Sequence, residues 1–182
     1  MKNLLSLALV FMLISLSTSC DDENLTGFSF SNDYATATIT VDPTTTQGDI
    51  DLGVLEFESD IQGLVSGQGV GVDNLKSIKV TAVKLEIEDT DPNPYTFDLV
   101  TRIKSEISNV AGTSFIEFAG KDPVPTGGQT EIFLDVQDVE LINYFKQTKF
   151  KVKLNGFTTD SIDHSFNVKL TMSATFKGEI LK

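Results

Sequence analysis

Residues 166–176 read Phe-Asn-Val-Lys-Leu-Thr-Met-Ser-Ala-Thr-Phe, and this stretch decides the fold. Every second residue is apolar and the residues between them are polar, so the apolar period is two. Successive side chains of a β-strand point to opposite faces, and this period therefore predicts a strand with one buried face. The inward positions are Phe166, Val168, Leu170, Met172, Ala174 and Phe176.

The same period recurs along the chain, in segments separated by residues that favour turns. Asp42-Pro43 stops the first segment, and Pro123 with Gly127-Gly128 separates two later ones. The pattern predicts an all-β protein, a single antiparallel β-sandwich of about eight strands with one to three short helical turns. The other predicted strands cover residues 35–41, 50–57, 78–87, 102–108, 114–119, 132–136 and 149–154.

Two predicted strands change the parity of their apolar positions. Residues 50–54 hold one parity, with Ile50, Leu52 and Val54 on it, whereas Leu55 and Phe57 take the other. Residues 78–87 behave in the same way, and their change falls at positions 81–82. A strand that buries one face must keep its parity unless an extra residue is inserted, so each change predicts a β-bulge.

Three short segments have helical patterns. Ser59-Asp60-Ile61-Gln62 has the spacing of a capping box and is followed by closely spaced glycines, which predicts one or two helical turns. A further turn is predicted over Phe97–Thr101. A third is predicted over Asp138–Phe145, with Asp138 as the N-cap.

Composition and charge exclude several classes of protein. The chain has 182 residues, 14 Lys and Arg against 26 Asp and Glu, and a net charge of −12, which argues against nucleic-acid binding. Its single cysteine excludes an intrachain disulfide and a multi-cysteine zinc site.

The N-terminus predicts export and a lipid anchor. Lys2 precedes an apolar run at residues 4–16, which is too short to cross a hydrocarbon core of about 30 Å. Residues 1–19 are therefore interpreted as a signal peptide. The small residues before Cys20 resemble the lipobox of bacterial lipoproteins, with Ser17 where leucine is usual. The resemblance implies cleavage before Cys20, diacylglycerol and an N-acyl chain on this residue, and attachment to a membrane. The alternatives are an ordinary signal peptide with a chance cysteine or an uncleaved anchor.

The residues after the cysteine, Asp21, Asp22 and Glu23, resemble the acidic surface-export signal of Bacteroidota-type lipoproteins. In enterobacterial lipoproteins an aspartate at this place implies retention in the inner membrane, and a solvated tether is the third interpretation. We favour the outer membrane, with the protein facing outward. The predicted organisation is a signal peptide at 1–19, a lipidated cysteine and acidic tether at 20–27, and a sandwich ectodomain at 28–182.

The C-terminal half also resembles uncharacterised all-β lipoprotein domains of Bacteroidota. The resemblance rests on a segment at residues 138–144, Asp-Val-Glu-Leu-Ile-Asn-Tyr, followed by Phe150-Lys151-Val152 and the strand that begins at Phe166. These motifs are structural and imply no activity.

One loop is the best candidate for ligand binding. Asp89, Asp91 and Asn93 have the first oxygen-ligand spacings of a calcium loop, but Pro94 and Val100 stand where an EF-hand needs glycine and glutamate. A looser calcium site between sandwich loops stays open, and a polar turn is the default interpretation. No other cofactor is predicted. Tyr95 follows this stiff loop and is the best candidate for an exposed stacking aromatic, ahead of the two other tyrosines, Tyr34 and Tyr144.

Three other features have both a structural and a functional interpretation. His164 is the only histidine, and we interpret it as an exposed turn residue rather than a catalytic base. Asp160-Ser161-Ile162 resembles the O-glycosylation motif of Bacteroidota secreted proteins. The row of Lys149, Lys151 and Lys153 is interpreted as protection of an edge strand, with an acidic partner as the alternative.

No catalytic residue is predicted, and the favoured function is therefore binding. We expect a non-enzymatic, lipid-anchored envelope or cell-surface protein that contacts a protein or glycan through its loops. One alternative is a hydrolase of glycans that uses carboxylates from opposed loops. The other is a structural subunit of an outer-membrane complex.

Overall fold

The computed structural model describes residues 25–45 and 47–181, without the side chains of residues 25, 26, 34, 35 and 181. The predicted signal peptide, Cys20 and the acidic stretch Asp21–Glu23 lie outside the described residues. Within them, no helix has the length and apolar character to cross a bilayer.

The described chain is all-β, as the sequence predicted. It contains two short helices, α1 (Ile61–Ser66) and α2 (Ile142–Phe145), and two single 3-10 turns at Val72–Asn74 and Phe97–Leu99. The first strand begins three residues before the predicted start of the ectodomain. The eight strands are β1 (Leu25–Val41), β2 (Gly48–Glu58), β3 (Leu75–Glu88), β4 (Val100–Asn109), β5 (Ile116–Lys121), β6 (Glu131–Val136), β7 (Lys149–Thr158) and β8 (Phe166–Leu181).

The strands form one antiparallel sheet that curls into a sandwich, in the order β1-β8-β3-β6-β5-β4-β7-β2. The two halves, β1-β8-β3-β6 and β5-β4-β7-β2, are joined by a short β5–β6 pairing at Ala119–Val136 and Gly120–Asp135. This order is that of a jelly roll, the eight-stranded sandwich built from two Greek keys.

Phenylalanine rings fill the core between the two halves. Phe145 of α2 packs with its ring centroid 4.9 Å from that of Phe150 in β7 and 6.3 Å from that of Phe176 in β8. Phe30 continues the row at 5.0 Å from Phe176, and Phe57 lies 5.4 Å from Phe150. The Phe145, Phe150 and Phe176 side chains are fully buried. Their contacts hold strands from both halves together.

Both predicted bulges are confirmed. The register of β3 against β8 shifts between Val80 and Ala82, where the parity of its apolar positions changes. The register of β2 against β7 shifts between Asp51 and Gly53. The sequence placed this second bulge after Val54, but it lies before Val54. Val54 is therefore turned outward and is 48% exposed, although it was expected to point inward.

The predicted helix after residue 59 is confirmed with a different cap. Asp60 is the N-cap, since its carboxylate accepts a hydrogen bond from the Gly63 N–H. The Ser59 hydroxyl donates instead to the backbone carbonyl of Phe145. It therefore ties the end of β2 to α2.

The helix predicted over residues 138–145 is shorter than expected, because α2 begins at Ile142. Asp138 is not its cap and forms an ion pair with Lys79 on β3. The Glu140 carboxylate accepts hydrogen bonds from the N–H groups of Ile142 and Ile78. Ile78 of β3 also accepts the Leu141 N–H, so hydrogen bonds to a neighbouring strand, rather than helical ones, hold this segment up to residue 141.

The strand registers define two ends of the sandwich. Leu25 at the start of β1 pairs with Leu181, and Val41 at its other end pairs with Phe166. Sixteen residue steps at 3.3 Å put these ends about 50 Å apart. The distal loops, residues 42–45 and 47, 89–99, 122–130 and 159–165, lie at the Val41 end. The base loops, residues 59–74, 110–115 and 137–148, lie at the Leu25 end.

Candidate functional site

Hydrogen bonds between loops join the distal loops into one surface. Thr44 and Ile162 exchange two backbone hydrogen bonds of 2.8 Å, which join the loop after β1 to the loop after β7. The Asp98 carboxylate accepts the N–H groups of Gly127 and Gly128 at 2.9 and 3.0 Å, which joins the loop after β3 to the loop after β5.

Asp89 is the centre of the predicted ligand loop. Its side chain is only 3% exposed, and its Oδ2 atom lies 2.9 Å from the His164 Nε2 atom. The same oxygen accepts the Tyr95 N–H at 2.8 Å, and Oδ1 accepts the Asp91 N–H at 3.0 Å. Asp91 in turn accepts the Asn93 N–H at 2.9 Å. Hydrogen bonds therefore join the four predicted residues within the loop after β3, and Asp89 connects that loop to His164 in the loop after β7.

These contacts shift the pKa values of both members of the pair. The Tyr95 and Asp91 N–H groups, more than the His164 ring, lower the pKa of Asp89 from 3.8 to about 2. The hydrogen bond to Asp89 raises the pKa of His164, against a smaller opposing effect of burial. His164 is half-buried rather than an exposed turn residue, with 28% of its side chain exposed.

Tyr95 is half-buried and packs against the core. Its ring stacks on His164 at 4.3 Å and lies 5.1 Å from the Phe166 ring. Its hydroxyl accepts the Asp163 N–H at 2.6 Å. Tyr95 therefore connects the loop after β3 to the loop after β7, and one ring face is covered by His164.

The N–H groups that donate to Asp89 argue against its use as a calcium ligand. Both oxygens of this carboxylate are already occupied by N–H groups, and the carboxylate is shielded from solvent. Within residues 25–45 and 47–181, no group of three or more His, Cys, Asp and Glu side chains is arranged to hold a metal ion. The loop geometry thus favours the polar-turn interpretation for Asp89.

The distal loops carry a strong net negative charge, with His164 as their one basic side chain. They contain no Lys or Arg residue. Such a surface repels phosphates and acidic polysaccharides and attracts cationic groups. Its acidic residues are Asp42, Asp89, Asp91, Asp98, Asp122, Asp160 and Asp163.

An open groove of about 470 Å³ adjoins this surface, between the distal ends of β1 and β2. Asp42, Asp49 and Asp51 line it together with Ile162 of the loop after β7. Val54, which the β2 bulge turns outward, also belongs to its wall. The groove therefore offers both an apolar contact and carboxylate oxygens that accept hydrogen bonds.

No protein-family model matches the chain, and no curated protein matches it. Among similar solved structures are three viral ones. A chain of Desmodium yellow mottle tymovirus is 10% identical with a TM-score of 0.28, over 92% of this chain and 96% of that chain. A chain of the Macrobrachium rosenbergii nodavirus semi-empty VLP is 10% identical with a TM-score of 0.29, over 100% and 96%. A chain of tomato aspermy virus is 14% identical with a TM-score of 0.25, over 86% and 80%. Scores this low carry no argument about function.

Sequence analysis missed one exposed aromatic residue. Phe133 in β6 is 56% exposed, and it lies opposite Lys84 of β3, which forms an ion pair of 3.1 Å with Glu131. The signal was present, because Ile132 and Leu134 on either side of it were predicted to point inward. Phe133 therefore had to point outward.

Ser161 lies in the loop after β7 and is exposed. Its hydroxyl donates to Asp163 Oδ1 at 3.1 Å, while the neighbouring Ile162 side chain is buried. An exposed hydroxyl in a surface loop has room for a glycan, and O-glycosylation of Ser161 stays a prediction.

The interpretation of the lysine row as edge protection is wrong. These lysines lie on β7, which is an interior strand between β4 and β2. Lys149 contacts Glu56 and Glu58 of β2 at 2.8 and 3.2 Å, and Lys153 contacts Asp51 at 3.2 Å. The lysine row therefore faces an acidic row on β2. Residue type alone suggested an edge strand, because it does not reveal which strand lies beside β7.

Proposed function

We propose that the chain is a non-enzymatic, lipid-anchored protein of the bacterial outer membrane that presents its distal loops to a protein or glycan at the cell surface. One observation carries the proposal. Leu25, five residues after the predicted lipidated Cys20, begins β1 at the base, whereas the distal loops lie about 50 Å away at the other end. Anchoring at Cys20 thus leaves the distal loops free to meet a partner.

The charge of the distal loops defines the kind of partner. Seven aspartates without a Lys or Arg favour a basic protein segment or a neutral glycan and disfavour nucleic acid. The groove between β1 and β2 adds an apolar contact at Val54 beside Asp42 and Asp49. A partner that fits would combine hydrogen-bond donors with an apolar surface.

The anchor is tested by changing its cysteine. We expect Cys20→Ser to release the protein in soluble form, because the acyl chains would be lost. Cell fractionation after a high-salt wash measures this release. Retention of the variant in the membrane fraction would contradict a lipid anchor. Replacement of Asp21, Asp22 and Glu23 by Ala should reduce cleavage by protease added to whole cells, and unchanged cleavage counts against surface export.

The binding surface is tested by site-specific photo-crosslinking on intact cells. A crosslinker at Thr45 in a distal loop should give a discrete adduct, and one at Thr113 in a base loop should not. The adduct should weaken when Asp42 and Asp49 are changed to Asn, since the groove would lose two of its three carboxylate charges. Equal adducts from both positions, or an adduct insensitive to these changes, would refute binding through the distal loops.

A carboxylate-dependent glycan hydrolase is the second candidate, because three aspartates line one groove. Against it, Asp49 pairs with Arg102 at 2.8 Å and Asp51 with Lys153 at 3.2 Å. A general acid in such enzymes needs an environment that keeps its proton, and paired, exposed carboxylates lack one. Release of reducing sugar by the wild type, abolished in Asp49→Asn and Asp51→Asn, would establish hydrolysis.

A structural subunit of an envelope complex is supported by the exposed Phe133 alone. Such a subunit would use the outer face of β6 rather than the distal loops. A crosslinked envelope protein obtained from this face and lost in Phe133→Ser would establish that alternative.

A further inference from the structure

The proposed anchor would hold the base close to the bilayer. Five residue steps separate Cys20 from Leu25, and a fully extended chain covers at most about 18 Å in that length. The headgroup layer on each side of a bilayer takes up about 6 Å of this distance. The remaining gap, about the diameter of one helix, is the most that can separate Leu25 from the lipid surface, so the end of the sandwich that carries the base loops faces the bilayer.

One base loop has the chemistry of a membrane contact. Residues 110–115, Val-Ala-Gly-Thr-Ser-Phe, contain no charged residue, whereas the distal loops contain seven aspartates. Val110 is 47% exposed and is one of three large apolar side chains exposed to this extent among the described residues. An exposed apolar side chain in an uncharged loop gains free energy at the boundary between headgroups and acyl chains.

A lysine lies against the same loop. A Cβ atom added to Gly112 would lie 3.5 Å from the Nζ atom of Lys151. Lys149 and Lys153 each pair with carboxylates of β2, but Lys151 forms no ion pair within 4.0 Å among the described side chains. Lys151 lies opposite Glu56 of β2, but Glu56 pairs with Lys149 at 2.8 Å. The Lys151 ammonium beside an apolar tip is therefore complementary to anionic lipid headgroups.

We propose that residues 110–115, with Val110 and Lys151, form a contact with the lipid bilayer that fixes the orientation of the anchored protein. This inference rests on the proposed lipid anchor at Cys20. The loop adds a second attachment point on a strand of the other half of the sandwich. Two attachment points keep the long axis of the sandwich close to the membrane normal, whereas a single tether allows the molecule to tilt.

The absence of tryptophan makes the contact measurable. The mature lipidated protein carrying Val110→Trp would be reconstituted in vesicles of phosphatidylcholine and phosphatidylglycerol. We expect its emission to shift to the blue and to be quenched by brominated acyl chains. Phe133→Trp is the matched control, because Phe133 is 56% exposed and lies two residues into β6, directly after the distal loop at residues 122–130. Its emission should neither shift nor be quenched.

Lys151 is tested in the Val110→Trp background. Lys151→Gln should reduce quenching on vesicles that contain phosphatidylglycerol and leave it unchanged on pure phosphatidylcholine. Lys153→Gln is the control, because this lysine already pairs with Asp51. Equal effects of the two variants would overturn the role of Lys151. Thr113→Trp provides a second reporter in the same loop in case the first variant fails to fold.

Flotation of the vesicles separates failure of the contact from failure of the anchor. If the protein floats with the vesicles but the tryptophan emission at residues 110 and 113 is unshifted, the anchor stands and the membrane contact is overturned. If the lipid-modified protein does not float, the anchor fails and the contact that rests on it fails as well.

Discussion

Removing the ring of Phe145 tests the packing on which the fold depends. Phe145 lies in α2, and its ring contacts Phe150 of one half of the sandwich and Phe176 of the other. Its side chain is fully buried. Phe145→Ala therefore leaves a cavity where the two halves meet, and neighbouring rings that already stack on other partners can fill it only in part.

The magnitude follows from the burial. Truncation of a buried phenylalanine to alanine costs about 3–5 kcal/mol of unfolding free energy, since the transfer and cavity contributions add. A loss of about 4 kcal/mol corresponds to a fall in Tm of about 8–16 °C for a domain of this length. Phe145→Leu, which keeps most of the volume, should cost less than about 1.5 kcal/mol.

Urea denaturation followed by circular dichroism measures the loss, and an unchanged m-value would show that only stability has changed. Phe133→Ala is the matched control, because the same ring is removed from a side chain that is 56% exposed. It should change stability by about 0.5 kcal/mol or less. If Phe145→Ala cost no more than this control, α2 would not lie between the two halves and the reasoning would be refuted.

Three further substitutions test the loops and the base. Thr158→Val should lower the free energy of unfolding by about 2 kcal/mol in urea denaturation, because its buried hydroxyl donates to the Leu99 carbonyl at 2.7 Å. The wild type should be more stable than His164→Gln, and the difference between their denaturation midpoints should be largest below pH 6.5. This difference should shrink as the pH rises through the raised pKa of His164. A difference that does not change with pH would contradict the pair with Asp89. Gly178→Ala should destabilise by about 1–3 kcal/mol in thermal melts, because its Cβ would overlap the Asn74 carbonyl oxygen and the Phe28 ring, whereas Gly71→Ala, whose Cβ would make only an ordinary contact, should be neutral.

The alternation of apolar and polar residues predicted the strands well, because it records which face of a strand is buried and can be read within a few consecutive residues. The β3 bulge could be located to Val80–Ala82 from the spacing of apolar residues alone. The β2 bulge was detected but misplaced, since a glycine at residue 53 carries no side chain to mark its face. As a result the exposure of Val54 was missed.

Contacts between distant loops could not be predicted, because no local pattern encodes strand order. The lysines of β7 looked like edge protection until the order put β2 beside them. Asp89, Asp91 and Asn93 were correctly identified as a group by their spacing. The role of Asp89 depends on His164, which is 75 residues away in sequence and contacts it only because β3 and β8 are neighbours.

The alternation of strand direction connects the fold to the proposed function. In an entirely antiparallel order every second connection returns to the same end, so the loops after β1, β3, β5 and β7 must share one end. The start of β1 must then lie at the other end. The acidic stretch Asp21–Glu23 precedes β1, and about 50 Å separates the two ends of this strand, far more than the Debye length of about 8 Å at physiological salt. A charge near the start of β1 is therefore screened from the distal aspartates. Under the proposed function, mutating the distal aspartates and the acidic stretch Asp21–Glu23 separately would divide binding from export.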